Sequence, residues 1–166
     1  MDRNMSPELR QCGIRDVDFG KGVVVYEPSN IYQCKIGNDC FIGPFVEIQK
    51  DVRVGDRVRI QSHCFICELV EIGDDCFISH GAMFINDVFQ HGGPARGDKR
   101  LWRSTRLGRH VSIGTNATIL PVDICDYSVI GAGAVVTKDI VEPGIYAGNP
   151  ARLVRRLDPN VSEKDL

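Results

Sequence analysis

The chain has 166 residues, with 20 Lys and Arg against 22 Asp and Glu for a formal net charge of −2, and a mean hydropathy of −0.12. That length fits one domain, the near-neutral charge is unlike a dedicated nucleic-acid binder, and no apolar run is long enough to span a membrane. The polar start, residues 1–15, is unlike a secretory signal peptide, so the expected compartment is the cytoplasm and the seven cysteines are expected to be reduced.

In chain order, Ser6, Pro7 and Glu8 read as a loose arm or short cap. Residues 14–35 read as an incomplete first coil, in which Val24 and Asn30 fall in the same six-residue frame as Ile36. From Ile36 the chain runs in sixes. The first residues of the hexads are Ile36, Ile42, Ile48, Val54, Ile60, Ile66, Ile72, Ile78 and Phe84, and the fifth are Cys40, Val46, Val52, Val58, Cys64, Val70, Cys76 and Ala82. Six is a multiple of the strand period and not of 3.6, so the pattern predicts short strands that turn a corner, a hexapeptide parallel β-helix. One aliphatic side chain points inward from each strand and contributes roughly 2 kcal/mol of burial. A small residue points inward at each corner. No hexad buries its own apolar face, so stability comes from stacking coils about 4.8 Å apart. Cys40 and Cys76 fall in one column two coils apart, about 9.6 Å, too far for a disulfide. The cysteines read as small buried hydrophobes, and no Cys or His pair has zinc spacing, so no metal is expected.

After Phe84 the frame breaks, and residues 86–106 form a loop excursion with Gly92, Gly93 and Pro94 as its turn chemistry. Loops of that length are usually functional. This one carries Arg96, Lys99, Arg100, Arg103 and Arg106 against Asp87 and Asp98, and the only tryptophan, Trp102. Arginine forks match phosphate geometry and Trp102 can stack on a nucleotide base; equally, Trp102 can pin a solvated loop to the prism. The frame resumes at Leu107, Ile113 and Ile119, skips one residue at Pro121, and continues through Ile124, Ile130 and Val136. Pro150 suits the first turn of a helix over about 150–157 that would cap the open end of the prism, with 158–166 as a tail. On the outer surface, Glu68 and Asn86 hold the same hexad position one coil apart and should stack. His63 and His80 also point outward from adjacent coils, as a base, as acceptor-binding groups, or as contacts to a neighbouring subunit.

The hexads, IGAGAVVTKDI at 130–140 and GNPAR at 148–152 resemble the left-handed β-helix acyltransferases over about residues 22–157. The left hand is an implication of that resemblance, since parallel crossovers are otherwise right-handed. The segments VYEP at 25–28, FIGPFVEI at 41–48, QSHCFICE at 61–68 and MFIND at 83–87 are similar to those of bacterial nucleotide-sugar N-acetyltransferases. That subgroup acetylates an amino group on a UDP- or dTDP-linked sugar for surface polysaccharide, the O-antigen of lipopolysaccharide. It works as a homotrimer with sites between prisms. The resemblance implies acetyl-CoA as co-substrate. It places Asn86 at the acceptor amine. Gln61, Glu68 and Asp87, with Arg96 and Trp102 of the loop, are the residues expected to bind the substrate. His80 and His63 are candidate catalytic groups. Lys138, Arg152 and Arg155 are expected at the CoA phosphates, with Gly131 and Gly133 leaving room for the pantetheine arm and Asn116 on the cofactor side.

One departure bears on the chemistry. Relatives that acetylate sugar hydroxyls carry a histidine in the hexad two before the IGDxxxIGAG segment, which here begins at Ile124, and Asn116 stands there instead. Asparagine is no general base, which suits an amine acceptor, itself the nucleophile and in need mostly of positioning. The alternatives are O-acetylation of a sugar hydroxyl, a γ-carbonic-anhydrase-like zinc hydratase on the same prism, or a non-catalytic prism. The hydratase needs two histidines five residues apart, whereas His63, His80, His91 and His110 are 17, 11 and 19 apart. Ice-binding prisms show outward threonine ladders, which this sequence lacks.

Overall fold

A computed structural model describes residues 10–157; the N-terminal arm and the 158–166 tail lie outside the described residues. The chain forms a left-handed parallel β-helix of about seven turns whose three faces are sheets of seven, six and eight strands, parallel except for the last strand of the third. Strands are mostly two residues long, as at Phe41–Ile42, Glu47–Ile48 and Arg53–Val54, with the second residue buried. The first face stacks Ile31, Ile48, Ile66, Phe84, Ile119 and Val136. The second stacks Ile36, Val54, Ile72, Leu107 and Ile124. The third stacks Ile42, Ile60, Ile78, Ile113 and Ile130. The fifth-position residues of the hexads, Cys40 through Ala82, are all buried, as the period requires.

The corners turn because one residue at nearly every corner adopts a left-handed backbone, among them Asp39, Asp51, Arg57, His63 and Asp75, with φ between 55° and 64°. On the edge between the second and third faces a column of glycines, Gly37, Gly55, Gly73 and Gly108, lets successive coils approach. A Cβ on Gly37 would come within 2.4 Å of the Gly55 carbonyl oxygen. Beside it runs a ladder in which Asn38, Asp56 and Asp74 each accept from a backbone N–H one coil below: Lys21 N at 2.9 Å, Asn38 N at 2.7 Å and Asp56 N at 2.9 Å. The corner cysteines join the same scheme. The Sγ of Cys40, Cys64 and Cys76 donates to the carbonyls of Gly55, Ser79 and Gly108 at 3.1, 3.0 and 3.1 Å. A thiol therefore fills the corner and also satisfies a carbonyl, which alanine or valine cannot do.

Burial pushes these thiols up, to about 11 for Cys34 and Cys64 and about 12 for Cys67 and Cys76. At pH 8 an alkylating reagent should therefore modify exposed Cys12 first and half-buried Cys125 more slowly, leaving buried Cys34, Cys40, Cys64, Cys67 and Cys76 intact until the chain is denatured. Rapid native labelling of Cys64, read by mass spectrometry, would contradict its inward position.

Three expectations are corrected. The first coil is complete: Ile14–Arg15, Asp18–Phe19 and Val24–Val25 pair with the strands of the next coil. Over residues 14–35 the inward residues include Val25 and, in the next coil, Ile31 rather than Val24 and Asn30, because the frame slips by one residue. The excursion is shorter than 86–106, since Thr105–Leu107 is already strand and Arg103 N bonds Asn86 O at 3.0 Å. The helix at 150–157 is instead a strand, Arg152–Arg156, antiparallel to Gly144–Ala147. A single isolated turn of helix is marginal. The open edge of Gly144–Ala147 offers a ladder in its place, Leu153 packs where Gly144 has no side chain, and Arg156 closes the hairpin on Glu142 at 2.9 Å. Among the described residues no helix is long and apolar enough to cross a membrane.

Candidate functional site

All variation in step length falls on one edge of the prism, where the chain passes from the first face to the second. The steps from Ile31 to Ile36 and from Ile119 to Ile124 are a residue short, and the step from Phe84 to Leu107 holds the excursion. The other two edges keep the six-residue step throughout. Coil stacking leaves this edge free to accept insertions, and the principal candidate cleft lies along it.

The cleft has a volume of 440 Å³ and is walled by the first face on one side and the excursion on the other. It brings together four of the expected residues, Glu68, Asn86, Asp87 and Trp102, with Tyr32, Gln49, Phe65, Met83 and Phe89. Asn86 and Glu68 stack as expected: Asn86 Nδ2 donates to the Glu68 backbone carbonyl at 3.3 Å. That bond leaves the amide oxygen as the end with acceptor capacity. The Glu68 carboxylate, only 14% exposed, is hydrogen-bonded to Lys99 Nζ from the excursion, and this carboxylate holds the Lys99 ammonium above its ordinary pKa. The same Lys99 Nζ lies 5.4 Å from the centre of the Trp102 ring. Burial, with Glu47 and Glu68 nearby, raises the Tyr32 phenol. Asp87 holds the excursion together, accepting from Phe89 N at 2.9 Å and Ala95 N at 2.7 Å.

The basic character of the excursion is largely neutralised. Arg100 forks onto Asp98 at 2.9 and 2.7 Å, Arg106 pairs with Glu71 at 3.5 Å, and Lys99 pairs with Glu68. Arg96 is exposed and lies away from the cleft.

The remaining expected residues lie elsewhere on the chain. Gln61, His63 and His80 sit on the opposite edge, between the third face and the first. His63 stacks on Phe45 with ring centres 4.9 Å apart, and His80 is exposed. On the same edge Asn116 N bonds His80 O at 2.9 Å, and Gly133 N bonds Thr115 O at 2.8 Å. Gly131 N reaches Tyr146 O at 2.7 Å. Lys138 and Arg152 share a separate cleft of 310 Å³ with Thr137 and Tyr146 at the C-terminal hairpin, while Arg155 lies on the outer strand beyond it. No three His, Cys, Asp or Glu side chains converge as metal ligands among the described residues.

Residues 33–68 match the bacterial transferase hexapeptide family (six repeats), and residues 104–138 match the hexapeptide repeat of succinyl-transferase. In sequence the chain is 39% identical over 82 residues to a Staphylococcus aureus (strain MRSA252) protein provisionally named an acetyltransferase, covering 49% of this chain and 36% of that one. It is 47% identical over 53 residues to the galactoside O-acetyltransferase of Escherichia coli K12, covering 31% and 26%. The matched stretch thus spans between about a quarter and just over a third of the length of these relatives. In structure it superposes on AntD, an N-acyltransferase from Bacillus cereus in complex with dTDP and coenzyme A, with a TM-score of 0.76 at 24% identity over 86% of this chain and 84% of that one. It superposes on a perosamine N-acetyltransferase mutant from Caulobacter crescentus, in complex with CoA and GDP-perosamine, with a TM-score of 0.68 at 18% identity over 80% and 56%. Hexapeptide repeats are thus wound here into a left-handed parallel β-helix, the fold on which those two N-acyltransferases superpose.

Proposed function

We propose that the chain moves an acetyl group from acetyl-CoA to the amino group of a nucleotide-linked (UDP- or dTDP-) amino sugar, for bacterial surface polysaccharide such as O-antigen. The observation that carries the reading is the cleft at the variable edge, where an asparagine amide, fixed by its nitrogen to a backbone carbonyl, stands beside a covered carboxylate and an indole. In the reaction the amine nitrogen attacks the thioester carbonyl. The carbon–sulfur bond breaks, an amide bond forms, and the amine's surplus proton leaves with the thiolate or to water. The chain's part is to hold the amine: Asn86 Oδ1 accepts one of its N–H bonds, and Trp102 gives the sugar or base a flat apolar wall. Lys138 and Arg152 supply positive charge toward the CoA phosphates at the C-terminal cleft. A homotrimer, in which His63 and His80 of one prism face a neighbour, belongs to the same reading.

The match to a galactoside O-acetyltransferase favours a second reading, transfer to a sugar hydroxyl. A thiol-release assay with acetyl-CoA against UDP- and dTDP-amino sugars and their hydroxyl counterparts separates the two. Release with the amines alone, at rates tens of times the background hydrolysis, is expected. Release with the hydroxyl sugars alone supports O-transfer, and release with neither removes the acyltransferase reading.

A further inference from the structure

An ammonium group already stands at the margin of the acceptor cleft, on one of its lining carboxylates. Lys99 arrives from the excursion, bonds the Glu68 carboxylate, and places its Nζ 5.4 Å from the Trp102 ring centre. Asp51 and Tyr32 lie within its electrostatic reach. A carboxylate and an aromatic face around one cation form a general ammonium site. The walls of the cleft carry Glu68 and Asp87 and no basic side chain, so with Lys99 swung away the Glu68 carboxylate is the group left for a cation.

We propose that Lys99 is a resident stand-in for the acceptor's ammonium. In the free chain it occupies the Glu68–Trp102 site, and a protonated amino sugar binds by exchanging with it. This rests on the proposed amine acceptor and adds to it the state in which the amine is captured. It also explains an arrangement that simple loop anchoring does not require: Lys99 remains 54% exposed while its partner is 14% exposed. The side chain therefore has room to swing into solvent and leave a covered carboxylate facing the newcomer. N-acetylated product carries no charge at nitrogen, so it loses the site as it forms and Lys99 returns.

Trp102 is the only tryptophan and reports on the site directly. The experiment titrates the full chain with glucosamine hydrochloride, without acyl donor, and follows tryptophan fluorescence, with N-acetylglucosamine as the uncharged control. If Lys99 fills the site most of the time, K99M removes a competitor and should bind glucosamine about tenfold tighter than wild type. N-acetylglucosamine should gain nothing, and K99M/E68Q should lose the gain. Three results would overturn the proposal: weaker or unchanged glucosamine binding by K99M, an equal gain for the N-acetyl control, or an emission shift in ligand-free K99M to that of a fully exposed indole. The last would show the Lys99–Glu68 pair to be an anchor for the excursion. Because no acyl donor is present, absence of acetyl transfer in the thiol-release assay would count against the proposed reaction and leave this result standing. Failure of K99M to gain affinity would leave the reaction standing.

Discussion

Replacing Ile60 with aspartate is expected to unfold the prism. Ile60 is 1% exposed and stacks between Ile42 of the coil before and Ile78 of the coil after. The substitution removes roughly 2 kcal/mol of apolar burial. It also places a carboxyl in the apolar core between Ile42 and Ile78, at a further cost of several kcal/mol whether it ionises or takes up a proton. The sum is comparable to the about 5–15 kcal/mol that holds a domain folded. Because each coil is supported only by its neighbours, the break is felt on both sides. Arg59 is the informative control. It is one residue away in the same two-residue strand, points outward, and lies over the Phe41 ring at 4.8 Å. Arg59→Asp should cost no more than about 1 kcal/mol. Thermal melts followed by circular dichroism separate the pair. A cooperative I60D transition near that of wild type, or equal losses for both variants, would refute the inward-outward alternation on which the coil depends.

The regular part of this architecture was legible because one inward aliphatic every six residues leaves a direct trace in the sequence. The steps that break the rule were harder to read. Asn30 and Ile31 differ by a single position, and only pairing with Glu47 and Ile48 shows which one points inward. The sequence shows the gap between Phe84 and Leu107. It does not show that this gap lies on the same edge as the short steps at Ile31 and Ile119, because edges are defined only once the coils close. The same reason hid part of the cleft. Tyr32, Gln49 and Phe65 lie in three different hexads and meet Trp102 only through stacking and the return of the excursion. The local pattern at Arg152–Arg156 fits a short helix as well as a strand, and the unpaired edge of Gly144–Ala147 decides between them. Charge was legible as composition and not as pairing: of the five basic residues, Arg100, Arg106 and Lys99 lie on carboxylates of the same chain.

Asn86→Ala is expected to lower kcat with an amino-sugar acceptor by about 100-fold while leaving the prism folded and the affinity for coenzyme A unchanged. Asn86 Nδ2 is fixed on the Glu68 carbonyl at 3.3 Å, so the amide has one orientation, and its oxygen is the group that would receive an N–H of the amine. Alanine removes that acceptor and the Nδ2 bond together. The bond's net worth to stability is about 1 kcal/mol, which a folded prism tolerates. Poorer alignment of the amine with the thioester is the larger effect, since misplacement by about 1 Å costs on the order of 10²-fold. Asn86→Asp distinguishes the two contributions. It keeps an oxygen toward the cleft but loses the donor to the Glu68 carbonyl and adds negative charge next to Glu68, so ground-state binding of an ammonium should hold or improve while turnover falls. Steady-state kinetics with both substrates varied would show the split between kcat and KM. Wild-type turnover in Asn86→Ala would remove Asn86 from the site. A parallel loss of coenzyme A binding would show the residue to act through the shape of the coil, because the basic cleft at the C-terminal hairpin lies two coils away from it.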